Sequence, residues 1–172
     1  KEKYEEKNIF YADSNFLDIF SYPLLKGDPA TVLKAADGVV LTESAARKYF
    51  GSADNAMGKL LHIDNDFKGN DLTVTAVLKD IPSNSHLQFN ILLPGQLYDR
   101  AINPGDAWNN YDVYSYFLFE DNFAATPAAL KTIGQKLTTI RHGMDRANID
   151  GEFSLQPLKD IHLHSRFLLD VK

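Results

Sequence analysis

The sequence predicts an α+β fold, and three observations carry that prediction. Strand-like runs cluster in the middle of the chain instead of alternating with helices. The last third reads as strand, helix, strand, the pattern of one right-handed βαβ crossover. The length of 172 residues corresponds to about one domain, large enough to bury a real core.

The elements follow in order. Residues 13–20 read as a short helix, with Asp13 as its cap and Phe16, Leu17 and Phe20 as one apolar stripe. Tyr22-Pro23 and Gly27-Asp28-Pro29 break the chain. Residues 38–41 form a short β-branched strand. Residues 42–50 form the clearest small helix: Thr42 caps it, Ala45, Ala46, Tyr49 and Phe50 share a face, and Gly51 takes the left-handed stop. Residues 59–63 and 72–78 are two strands of a hairpin joined by the polar stretch 64–71. Strict alternation puts Leu72, Val74, Ala76 and Leu78 on one side of the second strand, and Thr73, Thr75, Val77 and Lys79 on the other.

Residues 81–85 read as a loop, and residues 87–93 as a strand that stops at Pro94-Gly95. A polar segment, 99–110, holds the single tryptophan, Trp108. Residues 113–119 are an aromatic-rich strand. Thr126 then caps a helix with Pro127 in its first turn and a stripe of Leu130, Ile133, Leu137 and Ile140, ended by Gly143. Residues 152–158 and 160–163 form the last strand, broken or bulged near Pro157.

Composition removes several classes. Hydrophobic residues at 44% and charged residues at 24% are close to the globular average, which argues against disorder. The absence of cysteine excludes a disulfide scaffold, cysteine-ligated zinc, iron–sulfur clusters and a cysteine nucleophile. No apolar run approaches the ~20 residues of a membrane-spanning helix. Residues 1–8 are charged and hold no signal-peptide core. The start, without a methionine, reads as that of an excised piece. A net charge of -5 without a basic cluster gives no footprint for nucleic acid.

Candidate chemistry is sparse. In a strand, His162 and His164 would point to one face, and Asp160 could add an oxygen ligand. No second ligand cluster accompanies them, because His62, His86 and His142 stand singly. Ser83, Ser85 and His86 lack a nucleophile elbow and read as turn chemistry. Asp64, Asn65, Asp66, Asn70 and Asp71 lack the glycine and terminal glutamate of a calcium loop. Trp108, Tyr111, Tyr114 and Tyr116 could stack on a sugar or a partner, or serve a strand of high β propensity. Gly51 and Gly58 do not make a phosphate loop. No catalytic, cofactor or metal residue is assigned.

Three ordered segments carry a resemblance. The first runs from Tyr11-Ala-Asp-Ser-Asn-Phe-Leu-Asp-Ile-Phe20 through Leu24-Leu25-Lys26-Gly27 and Val39-Val40-Leu41-Thr42-Glu43-Ser44 to Ala45-Ala46-Arg47-Lys48-Tyr49-Phe50-Gly51 and Gly58-Lys59. The second is Val74-Thr-Ala-Val77 with Lys79-Asp80-Ile81-Pro82-Ser83-Asn84-Ser85-His86. The third is Pro157-Leu158-Lys159-Asp160-Ile161-His162-Leu163-His164-Ser165. Together they resemble the MacB-like periplasmic core domain of FtsX-family ABC transporter permeases.

That resemblance implies an extracytoplasmic domain spanning residues 1–172, on the periplasmic side of the inner membrane of a Gram-negative bacterium. It implies two lobes: a ferredoxin-like, porter-type βαβ lobe over residues 87–163 and an inserted mixed α/β lobe over residues 38–80. A strand and helix that family members carry before this segment would be missing. The implied function is non-catalytic mechanotransmission. The implied partners are a cytoplasmic ABC ATPase acting through the full-length permease, a periplasmic adaptor or other envelope protein, and a second permease copy. Asp160-Ile161-His162 would lie near the return to the membrane, where it could couple domain movement to the second transmembrane helix. Two alternatives stand beside this reading. One is a metal-dependent hydrolase using His162 and His164. The other is a free-standing secreted binding module using the aromatics near Trp108.

Overall fold

Six short apolar runs assemble a mixed sheet. The computed structural model describes residues 3–64, 69–101, 113–144 and 151–161. They fall into two units, Lys1–Tyr116 and Phe117–Lys172.

In the first unit the order is β1 (Ile9–Ala12), α1 (Phe16–Ile19), β2 (Leu24–Lys26), β3 (Gly38–Thr42), α2 (Glu43–Phe50), α3 (Ala53–Ala56), β4 (Leu60–Ile63), β5 (Asn70–Leu78), β6 (Ile91–Pro94) and α4 (Gly95–Ala101). The sheet order is β1-β6-β3-β5-β2, with β4 also paired to β5. β1 runs parallel to β6, and β3 parallel to β5. The β3–β6, β2–β5 and β4–β5 pairs are antiparallel. β4 and β5 form the expected hairpin, and β5 is long enough to pair β4 with its first half and β2 with its end.

The sheet is covered on both faces, so all five residues of β3 are buried. One face sets Val39, Leu41, Leu72, Val74, Val77, Ile91 and Leu93 against Ala45, Ala46 and Ala56 of the two short helices. The opposite face sets Val40, Ala76, Leu78 and Leu92 against Leu33, Phe89 and the aromatic cluster around α1. Each fully buried Leu or Val contributes about 1.5–3 kcal/mol relative to exposure. The alanines of α2 let its backbone lie close to the strands.

The alternation expected for β5 breaks in the middle. The β3–β5 register jumps from Val39↔Val74 to Val40↔Ala76, so Thr75 is an extra, bulged residue. Beyond the bulge the sides exchange. Val77 joins Leu72 and Val74 on the α2 face, while Ala76 and Leu78 turn to the other.

α2 matches the sequence reading. Thr42 accepts a hydrogen bond from the Ala45 amide at 3.3 Å, and Gly51 ends the helix at φ 82. α1 is shorter than expected. Asn15, not Asp13, holds its cap position, and the Asp13 carbonyl accepts from the Phe16 amide at 3.0 Å. β1, β2, α3 and α4 were not anticipated. β6 begins only at Ile91, although Leu87 and Phe89 are buried ahead of it.

In the second unit, α5 (Pro127–Met144) starts as expected. The Thr126 side chain accepts from the Ala129 amide at 3.2 Å. Its stripe is half-buried at Leu130, Ile133 and Leu137 and exposed at Ile140. Among the described residues, the strands expected on either side of it do not form. Residues 113–119 are irregular, because β propensity reports fit to a neighbouring strand and none pairs with them among the described residues. Residues 152–157 instead cross α5 at Gly134, where a Cβ would overlap the Phe153 carbonyl. The Phe153 amide donates to Thr138 Oγ1 at 2.8 Å, and Arg141 lies 5.5 Å from the Phe153 ring. Leu158–Asp160 is a 3-10 turn following Pro157. The described residues therefore do not close a βαβ crossover. The proposed lobes at 38–80 and 87–163 compare with units that divide after Tyr116, and β3, β4 and β5 share their sheet with β1, β2 and β6.

Candidate interaction surface

The aromatic face of the sheet gives the first constellation. Phe16, Phe20, Tyr22 and Phe89 pack edge to face, stacked or tilted at centroid separations between 4.9 and 6.1 Å. The loop 81–86 is fixed beside them. The Ser85 amide donates to the Pro82 carbonyl at 2.9 Å, and Gln88 Nε2 donates to the Pro82 and Ser85 carbonyls at 2.8 and 3.0 Å. Ser85 Oγ shares a hydrogen bond with the Tyr22 hydroxyl at 3.0 Å. His86 Nε2 bonds the Tyr116 hydroxyl at 2.9 Å.

Tyr116 thus seats the chain leaving the sheet. Its ring meets Phe20 edge-on at 5.0 Å. Burial, with Tyr114 and Tyr22 close by, pushes its hydroxyl up to about 12, so it stays protonated. The residues around it stay in solvent: Val113 is 59% exposed, Tyr114 54%, Phe117 53% and Leu118 70%. Along the chain, the half-buried Tyr116 is preceded by exposed Val113 and Tyr114 and followed by exposed Phe117 and Leu118.

Glu6 gives the second constellation. Its Oε1 accepts from Asn90 Nδ2 at 2.8 Å. Its Oε2 accepts from the Tyr49 hydroxyl at 2.7 Å and from Lys48 Nζ at 3.0 Å. Lys48 Nζ lies 5.5 Å from the Tyr4 ring and 5.1 Å from the Tyr49 ring. Burial raises the Glu6 pKa, but the bonds from Asn90, Tyr49 and Lys48 and the Lys48 charge outweigh it and bring the carboxyl to about 2. Burial and the Glu6 carboxylate hold the Tyr49 hydroxyl above its ordinary value. A third tie sits at the other end of α2. Asp80 Oδ1 accepts from the Ser44 amide at 2.7 Å, and its Oδ2 from the Ser44 hydroxyl at 2.6 Å.

Among the described residues, those singled out by sequence serve separate local contacts. Asp160 lies in the 3-10 turn, its amide donating to the Pro157 carbonyl at 2.9 Å; His162 and His164 lie outside the described residues. His62 Nδ1 contacts Asp71 Oδ1 at 2.8 Å on the hairpin, whereas Asn65 and Asp66 of that stretch lie outside. His142 is exposed on α5. Ser83 is exposed and Ser85 serves the loop. Trp108 and Tyr111 lie outside the described residues. Among the described residues no three His, Asp or Glu side chains gather as a metal site, and no helix is long and apolar enough to cross a membrane. A shallow cleft of about 330 Å³ is lined by Asp13, Ser14, Asn15, Leu33, Gly95 and Gln96. The sequence reading did not anticipate the roles of Glu6 and Asp80. Only the placement of a lone carboxylate beside short apolar runs marks them, and that signal does not name their partners.

This is a mixed α/β sheet domain whose ordered polar groups fasten its own parts. The chain belongs to the MacB-like periplasmic core domain family, whose model matches residues 1–138, and is thereby the periplasmic domain of a MacB-like ABC transporter permease. A crystal structure of a domain from a Porphyromonas gingivalis protein described as a permease is similar at 24% identity with a TM-score of 0.67, covering 91% of this chain and 68% of that one. The periplasmic region of MacB from Actinobacillus actinomycetemcomitans is 18% identical with a TM-score of 0.47, over 76% of this chain and 55% of that one. No curated protein matches the chain.

Proposed function

We propose that the domain relays ATP-driven conformational change in a full-length permease and contacts a partner protein or cargo, without catalysing a reaction itself. The cytoplasmic ATPase would act on it through the permease. A periplasmic adaptor or other envelope protein would be its outer partner, and a second permease copy its neighbour. A Gram-negative inner membrane is the setting in which these partners coexist. Lys48, the cation held at Glu6, is committed to an internal ion pair, and the net acidic charge offers nothing to nucleic acid.

The run of chain from Val113 to Leu118, with four large exposed side chains along it, supports the contact reading. Exposed apolar side chains of this size, repeated over a short run, are a feature of surfaces that a partner covers. Photo-crosslinking tests it in cells expressing the full permease. A photoreactive residue at Leu118 should give adducts with an envelope protein, and one at the exposed helix position Lys136 should not. The double variant Tyr114→Ser, Leu118→Ser should lower transport-linked ATPase activity by about tenfold. Unchanged activity together with no adduct at position 118 would refute the reading.

A further inference from the structure

Residues 3–8 hold no strand or helix of their own. They are nevertheless bound at three points before β1 begins. Tyr4 meets Tyr49 edge-on at 5.2 Å. Glu6 takes donors from Lys48, Tyr49 and Asn90. The Asn8 carbonyl accepts from the Asn90 and Ile91 amides at 2.8 and 3.2 Å. The neighbouring side chains of Lys3, Glu5 and Lys7 lie at or near solvent, so the inward carboxylate of Glu6 is the fastening with the most partners.

We infer that residues 3–8 form a strap that opens and closes independently of the sheet, with Glu6 as its catch. Closed, the strap joins the chain's entry to α2 through Lys48 and Tyr49 and to β6 through Asn90. A pull on the strap then reaches the helix layer and the sheet together. Open, the same pull reaches the sheet through β1 alone. The separate opening follows from the kinds of contact. The strap is held by polar bonds near the surface, whereas β3, β5 and β6 are held by buried apolar packing. This mechanical use rests on the relay function proposed above; the existence of the strap does not.

Glu6→Gln is the variant of choice. Each Glu6 oxygen faces at least one donor, so either orientation of a glutamine places an amide N–H against one. Hydrogen exchange in the 172-residue chain reads the result. The Asn90 and Ile91 amides should exchange about tenfold to a hundredfold faster. The Val74 amide of β5, bound to the Lys59 carbonyl just ahead of β4 at 2.9 Å, should be unchanged. No acceleration at Asn90 and Ile91 overturns the strap, and so does equal acceleration at Val74. If Glu6→Gln does not fold, Lys48→Met decides: it leaves the Asn90 and Tyr49 bonds and should accelerate the same two amides by a smaller factor, and no acceleration there overturns the proposal. In the full permease, Glu6→Gln should weaken the coupling of transport to ATP hydrolysis. Unchanged coupling with an opened strap overturns the relay reading and its use of the strap, but leaves the strap itself standing.

Discussion

Gly27→Ala should be among the more damaging single changes to the sheet. Gly27 follows β2 at φ 104, a conformation that L side chains disfavour by about 1–2 kcal/mol. A Cβ there would sit 2.7 Å from the Thr75 carbonyl oxygen and 2.8 Å from Ala76 Cβ. Both neighbours belong to the bulged part of β5, where backbone and a buried alanine have little freedom to yield. Forcing that approach costs about 1–3 kcal/mol more. The stiffer unfolded chain returns about 0.4–1 kcal/mol. The net loss is about 2–4 kcal/mol. Gly51→Ala supplies the control, because Gly51 has φ 82 and nothing within 4 Å of a built Cβ. It should lose only the backbone part, about 1 kcal/mol. Urea denaturation of the three proteins measures both losses as midpoint shifts at constant slope. If Gly27→Ala and Gly51→Ala lose the same amount, the close packing at the bulge is not what requires glycine.

Glu6 makes stability depend on pH. Its folded pKa, lowered from 4.5 to about 2, means that the unfolded chain takes up the proton first. Its contribution is complete above about pH 4.5 and fades as pH falls toward 2; it is worth roughly 2 kcal/mol after allowance for partial solvent screening. The stability gap between wild type and Glu6→Gln should therefore narrow from pH 6 to pH 3 in urea melts, and a constant gap would contradict this. Asp80→Ala should cost about 1–2 kcal/mol, since α2 loses both bonds at Ser44 and a favourable charge at its N-terminus; thermal unfolding that matches wild type would count against it. Tyr116→Phe should keep the ring against Phe20 and remove the bond to His86, costing about 1 kcal/mol and moving the His86 ring-nitrogen NMR signals; an unmoved spectrum would show that the bond does not form.

The sequence made α2 legible because every determinant lies within ten residues: cap, apolar face and stop are local. The β4–β5 hairpin was legible for the same reason. β5's two sides were half wrong, because the bulge at Thr75 depends on how β3 pairs with it, and no local pattern records that. β1 and β2 are only four and three residues long. Their apolar runs are too short for a period to show, and only the neighbours β6 and β5 make them strands. The run at 113–119 misled in the opposite direction. Its β-prone residues suit a buried strand, and the structure gives them no ladder. In the sequence Glu6 is one charge among several in residues 1–8. A carboxylate's partners 42, 43 and 84 residues away leave no mark on its own surroundings.

The two carboxylates that escaped sequence reading together determine how α2 is held. Ala45 and Ala46, with Tyr49 and Phe50 packed partly buried beside them, hold the helix on the sheet by apolar contact, which has little directionality. Asp80 fastens the N-terminal end to the segment after β5. Glu6 fastens the C-terminal half to the segment before β1, and through Asn90 to the segment before β6. The fastenings lie at opposite ends of one eight-residue helix, so a rotation about either one strains the other. Both are charge-assisted bonds with direction, which apolar packing lacks. With both closed, α2 and the sheet move as one body. With Glu6 released, the helix keeps only its Asp80 fastening and its packing.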